Sequence, residues 1–179
     1  MTAFLQRAIG AALLDIAVVE EIEANRDATR QALVVVVLSS AAAGIGLSSS
    51  IYDAPVLTRV ILALLLWTFW AGLTCAIGLY LMPEPETETD IGELLRTIGF
   101  AASPGVLRIF GSVPGVGPTI YGLATAWMLV AMVIAVRQAL DYKSTARAIV
   151  VCMVAWIIAV AITAMTGGLL FFVAEEVFS

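Results

Sequence analysis

The chain has 179 residues, of which 61% are hydrophobic and 13% charged, and its mean hydropathy is +1.03. This balance excludes an ordinary soluble domain and predicts an integral membrane protein, with no length left for a separate soluble domain once several spans of about 20 residues are counted. The net charge of −5 supplies no basic surface for a phosphate backbone, so nucleic acid is excluded as a partner.

Residue types that commonly act in catalysis or bind metals are scarce in this sequence. Histidine, the commonest general base and a frequent metal ligand, is absent from the sequence. Cys75 and Cys152 both lie in apolar runs, where a thiol usually packs as a small hydrophobic group. We therefore expect no cofactor, no catalytic residue and no metal site.

The first 24 residues contain no apolar run of spanning length, because Asp15 and the acidic cluster Glu20–Glu23 interrupt them. Apolar residues recur at helical spacing: Leu5, Ile9, Ala12, Ile16 and Val19. This pattern predicts one helix lying along the cytoplasmic face. We expect residues 1–30 to form a cytoplasmic or interfacial segment and residues 31–179 to form the transmembrane domain.

Five apolar segments follow, and we predict that each is a transmembrane helix, which makes the fold class an all-α polytopic membrane protein. The segments cover residues 31–47, 56–81, 91–110, 119–136 and 148–173. Asp27 is placed to cap the first helix, and Pro118 occupies a helix-starting position before the fourth. Small residues at Ala42, Gly44 and Gly46 would let a second helix approach the first span closely.

The third and fourth spans form a hairpin around which the rest of the chain is organised. Their connector, residues 111–118, is rich in glycine and proline. Pro104 and Gly105 interrupt the third span, which predicts a kinked segment packed against protein. Arg96 and Arg108 lie within about two turns of its ends, so we expect both side chains to reach the lipid headgroups.

Trp67 and Trp70 fall near the middle of the second span rather than in an interfacial belt. This position predicts that they pack against other helices, with contact to a pigment, quinone or lipid as the alternative. The hydroxyl side chains within the spans are expected to bond to neighbouring backbone carbonyls. They belong to Thr68, Thr74, Ser103, Thr125, Thr163 and Thr166.

The loop between the second and third spans is acidic. Its four carboxylates lie at alternate positions, Glu84, Glu86, Glu88 and Asp90. A solvated loop is the main interpretation and a divalent cation site the alternative. Asp90 and Glu93 are spaced as a capping pair for the helix that follows.

Basic residues indicate the orientation. If the N-terminus is cytoplasmic, seven bases lie on that side and two, Arg59 and Arg108, lie opposite. The seven are Arg7, Arg26, Arg30, Arg96, Arg137, Lys143 and Arg147. We therefore predict a cytoplasmic N-terminus and an external C-terminus, in a bacterial cytoplasmic membrane.

Short motifs occur in a recognisable order along nearly the whole chain. They are Glu20-Glu21-Ile22-Glu23, Thr29-Arg30-Gln31-Ala32, Arg96-Thr97-Ile98-Gly99-Phe100-Ala101, Pro104, Trp127 and Arg137-Gln138-Ala139-Leu140. This order resembles bacterial members of the Yip1 domain family. The resemblance implies five transmembrane helices and a cytosolic N-terminus. Eukaryotic members bind Rab GTPases, but their tyrosine-glycine-proline element has no counterpart here, so GTPase binding is not implied.

These observations predict a non-catalytic membrane protein that acts through contacts with lipids and with other membrane proteins. It would serve as a scaffold, a membrane organiser or an accessory subunit of a larger complex, and a homo-oligomer is one form of partner. A small oligomeric channel or transporter is the alternative. The residues predicted to make these contacts are Arg96, Pro104, Arg108, Trp127, Trp67 and Trp70.

Overall fold

The computed structural model describes residues 2–47, 54–84 and 89–178, with side chains up to residue 162 and that of Met165. Its helices are α1 Ala3–Ala12, α2 Ile16–Ala24, α3 Ala28–Gly46, α4 Val56–Ala76, α5 Ile91–Ala101, α6 Gly117–Ala139 and α7 Thr145–Phe178. A π-helical turn, Ile77–Leu81, extends α4, and a 3₁₀ segment, Ser103–Ser112, connects α5 to α6. The fold is all-helical, as predicted.

Four helices in the described part of the chain are long and apolar enough to cross a membrane. They are Ala28–Gly46, Val56–Leu81, Gly117–Ala139 and Thr145–Ile162. These four agree with the predicted first, second, fourth and fifth spans to within a few residues at the ends that can be compared. The third predicted span is not one helix, because the chain changes from α5 to the 3₁₀ segment at Ala102.

The change to 3₁₀ geometry follows from Pro104. Proline lacks a backbone N–H and its ring disfavours an α-helical conformation in the preceding residue. The chain tightens instead, and the Gly105 N–H donates to the carbonyl of Ala102 at 2.9 Å. The kink predicted from Pro104 and Gly105 is therefore confirmed as a change of helix type, and both residues are buried.

The segment formed by α5 and the 3₁₀ turns, which we call the central segment, packs against α3 and α6 and runs alongside α3 in the same direction. Gly99 faces Ala32 near the start of α3, and Gly111 faces Gly46 at its end. Helical rises of about 1.5 and 2.0 Å per residue give this segment a length of roughly 36 Å. Its buried side chains, including Leu94, Ile98 and Phe100, form much of the core.

Three backbones meet where α3 ends, which we call the glycine junction: Gly46, Gly111 and Gly117. A Cβ added at Gly46 would overlap the carbonyl oxygen of Arg108, and one added at Gly117 would overlap that of Gly111. Only a residue without a side chain allows this approach. The close approach predicted from Ala42, Gly44 and Gly46 is thus confirmed at Gly46, and also at Gly44, where an added Cβ would overlap Val60 of α4.

The N-terminal segment folds as a helical hairpin, α1–α2, rather than as the single helix predicted. The turn places Leu14 at a φ of 64°, and the Asp15 side chain accepts a hydrogen bond from the N–H of Ala17 at the start of α2. The hairpin packs against α5 and α6, with Phe4 beside Phe100 at 6.4 Å between ring centroids. The prediction missed the turn because the periodic apolar residues continue across it.

Helix ends give mixed outcomes for the predicted caps. Asp90 and Glu93 form the predicted capping box, in which each side chain accepts from the other residue's N–H, at 2.8 and 3.1 Å. Pro118 lies in the first turn of α6, as predicted. Asp27 makes no side-chain cap at α3, so that prediction is wrong.

Hydroxyl groups within the spans mostly bond to the backbone, as predicted. Thr68 and Thr125 each donate to the carbonyl four residues earlier at 2.8 Å, and Ser103 donates to Phe100 at 2.6 Å. The Thr74 oxygen is buried without a partner among the described residues, so the prediction fails there. Thr163 and Thr166 lie outside the described side chains.

Candidate functional site

A cavity of about 220 Å³ lies between α3, α4, α6, α7 and the 3₁₀ segment. We call it the Arg108 cavity. The aromatic rings of Trp67, Trp70 and Trp156 and the thioethers of Met128 and Met132 form apolar walls. Its polar groups include the guanidinium of Arg108. The structure thus brings three of the six predicted contact residues, Trp67, Trp70 and Arg108, to one site.

Arg108 turns its guanidinium into the bundle instead of reaching the headgroups, so that prediction is wrong. Its Nη2 donates to the carbonyl and hydroxyl oxygens of Ser39 at 3.0 and 2.8 Å, and its Nε donates to Gly105 at 3.0 Å. The guanidinium also lies 5.8 Å from the centroid of the Tyr121 ring. These three hydrogen bonds to acceptors within the bundle hold the side chain inward.

The two predicted tryptophans of α4 differ in their hydrogen bonding. Trp70 is buried, and its Nε1–H donates to the carbonyl of Cys152 on α7 at 3.4 Å, which confirms packing against another helix. The Nε1–H of Trp67 is buried but has no partner among the residues that the structure describes. Trp67 therefore leaves an unused donor in the cavity wall.

The other predicted contact residues lie elsewhere. Trp127 donates its Nε1–H to the carbonyl of Ala12 at the end of α1, at 2.8 Å. Arg96 is buried and donates to the carbonyl of Glu23 at 2.5 Å, so it holds α2 to α5. Pro104 is buried and sets the 3₁₀ geometry. Arg96 and Trp127 thus bind the N-terminal hairpin to the bundle.

Several cavity residues were not predicted, although the sequence contains a signal for them. Tyr121, Thr125, Met128 and Met132 recur at intervals of three and four residues and therefore share one face of α6. Trp156 on α7 completes the wall. A stripe of this kind is typical of ordinary helix packing as well, so only the position of Arg108 distinguishes it.

The predicted acidic loop does not assemble a metal site in the residues described. Glu84 accepts from Arg147 at 3.0 Å, and Asp90 belongs to the capping box. No group of three potential ligands capable of holding a metal ion occurs within the described ranges. The remaining two carboxylates of the predicted cluster, Glu86 and Glu88, lie outside those ranges.

Charged side chains meet where α2 ends and α3 and α5 begin, which we call the base of the bundle. Burial raises the pKa of the Glu23 carboxyl, and the nearby carboxylate of Asp141 raises it further. The hydrogen bond from Arg7 lowers the pKa of Glu21, whose oxygens accept from Arg7 at 2.6 and 2.8 Å. A rise in pH therefore stabilises the fold through Glu21 and destabilises it through Glu23.

We expect Glu23→Gln to stabilise the purified protein at pH 7. Folding raises the pKa of this carboxyl. Such a group destabilises the fold progressively as the pH rises from the pKa of the unfolded state through the pKa of the folded state. Thermal unfolding in detergent should show the variant above wild type at pH 7, with the gap closing toward pH 4. Glu21→Gln is the control of opposite sign: it should destabilise at pH 7 and lose its effect as pH falls. A gap for Glu23→Gln that does not change with pH would contradict the assignment.

The Arg108 cavity offers binding groups of a defined kind: one guanidinium, one unused indole N–H, aromatic faces and thioethers. Such a set suits a ligand with an oxygen acceptor at one end and an apolar body. Comparison of the chain with protein-family models, with curated proteins and with solved structures finds no match.

Proposed function

We propose that this chain is a non-catalytic integral membrane protein that acts through contacts with lipids and other membrane proteins, as a scaffold, a membrane organiser or an accessory subunit. One observation carries the proposal. Within the most apolar 18-residue window of each helix, α4 and α7 bury only 28% of residues inside the bundle, whereas α3 buries 50%. Most of the apolar surface of α4 and α7 is therefore available to lipid or to a partner.

We also infer five membrane crossings, with the central segment of α5 and 3₁₀ turns as the third. Its estimated length of roughly 36 Å exceeds the roughly 30 Å of a bilayer core. It is parallel to α3 and packs against α3 and α6, and the exposed side chains on its other side, such as Leu107 and Phe110, are apolar and suit contact with lipid. The excess of basic residues at the base favours a cytoplasmic N-terminus, as in the Yip1 family that the sequence resembles.

The N-terminal hairpin is included in this proposal as a part of the membrane domain. The nine residues of α2 raise the hairpin tip by about 13 Å from the base, roughly half the length of α3. Leu5, Ile9, Leu13 and Ile16 are 44–67% exposed on its outer side. An apolar outer face at this depth favours a hairpin inserted in the cytoplasmic leaflet over a helix lying on its surface.

Photocrosslinking in native membranes tests the contact function. A benzoylphenylalanine in place of Leu65, which is 59% exposed on α4, should produce discrete adducts with lipid or with a second polypeptide. The matched control replaces Trp70, which is 5% exposed and faces α7, and should yield only cross-links within the chain.

Two results would contradict the proposal. One is an absence of any Leu65 adduct together with a lone monomer after mild-detergent purification. The other is solute flux through proteoliposomes of the purified chain well above that of empty vesicles, which would favour the channel or transporter alternative.

A further inference from the structure

We infer that the Arg108 cavity binds the carboxylate of a fatty acid, with the guanidinium of Arg108 and the indole N–H of Trp67 as donors and the acyl chain leading out to the bilayer. This inference rests on the proposed contact function and names a lipid class for it. Its basis is the meeting of a cation and an unused donor in one apolar cavity.

The positive charge of Arg108 favours the binding of an anion. No carboxylate pairs with its guanidinium among the residues that the structure describes. The carbonyls of Gly105 and Ser39 and the ring of Tyr121 stabilise the cation but carry no net negative charge. Arg108 is half-buried, and a half-buried cation without a counter-ion is less stable than a paired one, so a bound anion would stabilise the site.

Trp67 provides a second, independent sign of a ligand. A buried donor without an acceptor is less stable than a satisfied one. Since Trp67 lines the cavity that contains Arg108 and its buried Nε1–H lacks an acceptor, a small rotation of the indole would let one acceptor group with two oxygens engage both donors. A carboxylate has that shape.

The walls suit an alkyl chain. The volume of about 220 Å³ is more than ten times the roughly 10–15 Å³ that one water needs. Met128 and Met132 line the cavity with flexible thioethers that adapt to apolar ligands. Leu66 and Trp156 are 41% and 46% exposed at its edge, which provides an exit toward lipid.

The depth of the site favours a fatty acid over other amphiphiles. Ser39, which holds the guanidinium, is the twelfth of the 19 residues of α3, so it lies about 16 Å from one end and about 10 Å from the other. The phosphate of a diacyl lipid stays at the interface, whereas a fatty acid enters the bilayer as the neutral acid and releases its proton to bulk water when its carboxylate pairs with Arg108. A quinone reaches this depth but does not neutralise Arg108.

Tryptophan quenching tests the site, because three indoles lie in the cavity wall. The protein is placed in phosphatidylcholine nanodiscs and titrated with dibromostearic acid or with its methyl ester. We expect saturable quenching by the acid, about tenfold tighter than any effect of the ester, because only the acid forms a charge-assisted bond. Arg108→Gln should weaken binding of the acid about tenfold and leave the ester response unchanged.

Two further variants test whether the loss of binding is specific to the cavity. Arg59→Gln makes the same substitution at a buried arginine that donates to Leu47 outside the cavity, and it should leave binding intact. Trp67→Phe removes the indole N–H but keeps a ring, and it should weaken acid binding severalfold. If Arg108→Gln does not fold, Trp67→Phe and the comparison of acid with ester decide the question.

Four results would overturn the inference: equal quenching by acid and ester, unchanged affinity in folded Arg108→Gln, displacement by a short-chain quinone but not by oleate, or saturable quenching by brominated phosphatidate alone. Loss of fatty-acid binding with the Leu65 adducts retained would refute this inference only. Loss of those adducts, or solute flux, would refute the proposed function itself.

Discussion

Gly46→Ala is expected to lower the stability of the folded bundle strongly. The added methyl would overlap the carbonyl oxygen of Arg108, which belongs to the backbone and cannot rotate away as a side chain could. Overpacking of a tight core costs about 1–3 kcal/mol. For a chain of this size, that cost corresponds to a fall of roughly 2–12 °C in Tm, measured by thermal unfolding in detergent.

Gly72→Ala is the matched control for this effect. Gly72 lies within α4, and a methyl added there meets nothing within 4 Å. Because alanine forms helices better than glycine by about 1 kcal/mol, the control should hold or raise the Tm. If Gly46→Ala melted together with wild type, the close approach of α3 to the 3₁₀ segment at the glycine junction would be wrong.

Those parts of the fold that depend on apolar length and on local signals could be predicted from the sequence. Four helices long enough to span a membrane, the Asp90 capping box and the kink at Pro104 all follow from residues close together in the chain. The turn at Leu14 could not be predicted in the same way. A leucine at positive φ has no local signature, and the contact of the hairpin with α5 and α6 stabilises that conformation instead.

The candidate site could be predicted only in part. Trp67, Trp70 and Arg108 stood out by residue type and position, but they lie on two elements separated by some forty residues. Arg108 was expected at the headgroups because it lies near the end of an apolar segment. One acceptor, the Gly105 carbonyl, is local, but the two oxygens of Ser39 are near only because α3 packs against the 3₁₀ segment. Pairwise packing of this kind is not visible in one sequence.

Trp127→Phe is expected to loosen the N-terminal hairpin while leaving the rest of the bundle folded. The Trp127 indole N–H donates to the carbonyl of Ala12, one of the last four carbonyls of α1, which have no partner within the helix. Phenylalanine keeps an aromatic ring but leaves that carbonyl without a donor, at a cost of about 1–3 kcal/mol in an apolar setting. Amide hydrogen exchange across Ala3–Ala12 should accelerate about tenfold, because 1.4 kcal/mol is a factor of ten in an opening equilibrium.

The helices in which exchange accelerates show whether Trp127 holds only the hairpin or the whole bundle. If its hydrogen bond holds the hairpin, α1 should lose protection while Ala28–Gly46 keeps it, because α3 packs against the central segment through other contacts. Trp156→Phe removes an indole of similar exposure, 46% against 40% for Trp127, and should leave α1 unchanged. Equal losses in α1 and α3 would mean that Trp127 supports the whole bundle. Unchanged exchange in α1 would mean that other contacts, such as Phe4–Phe100 and the Arg7–Glu21 pair, keep the hairpin in place.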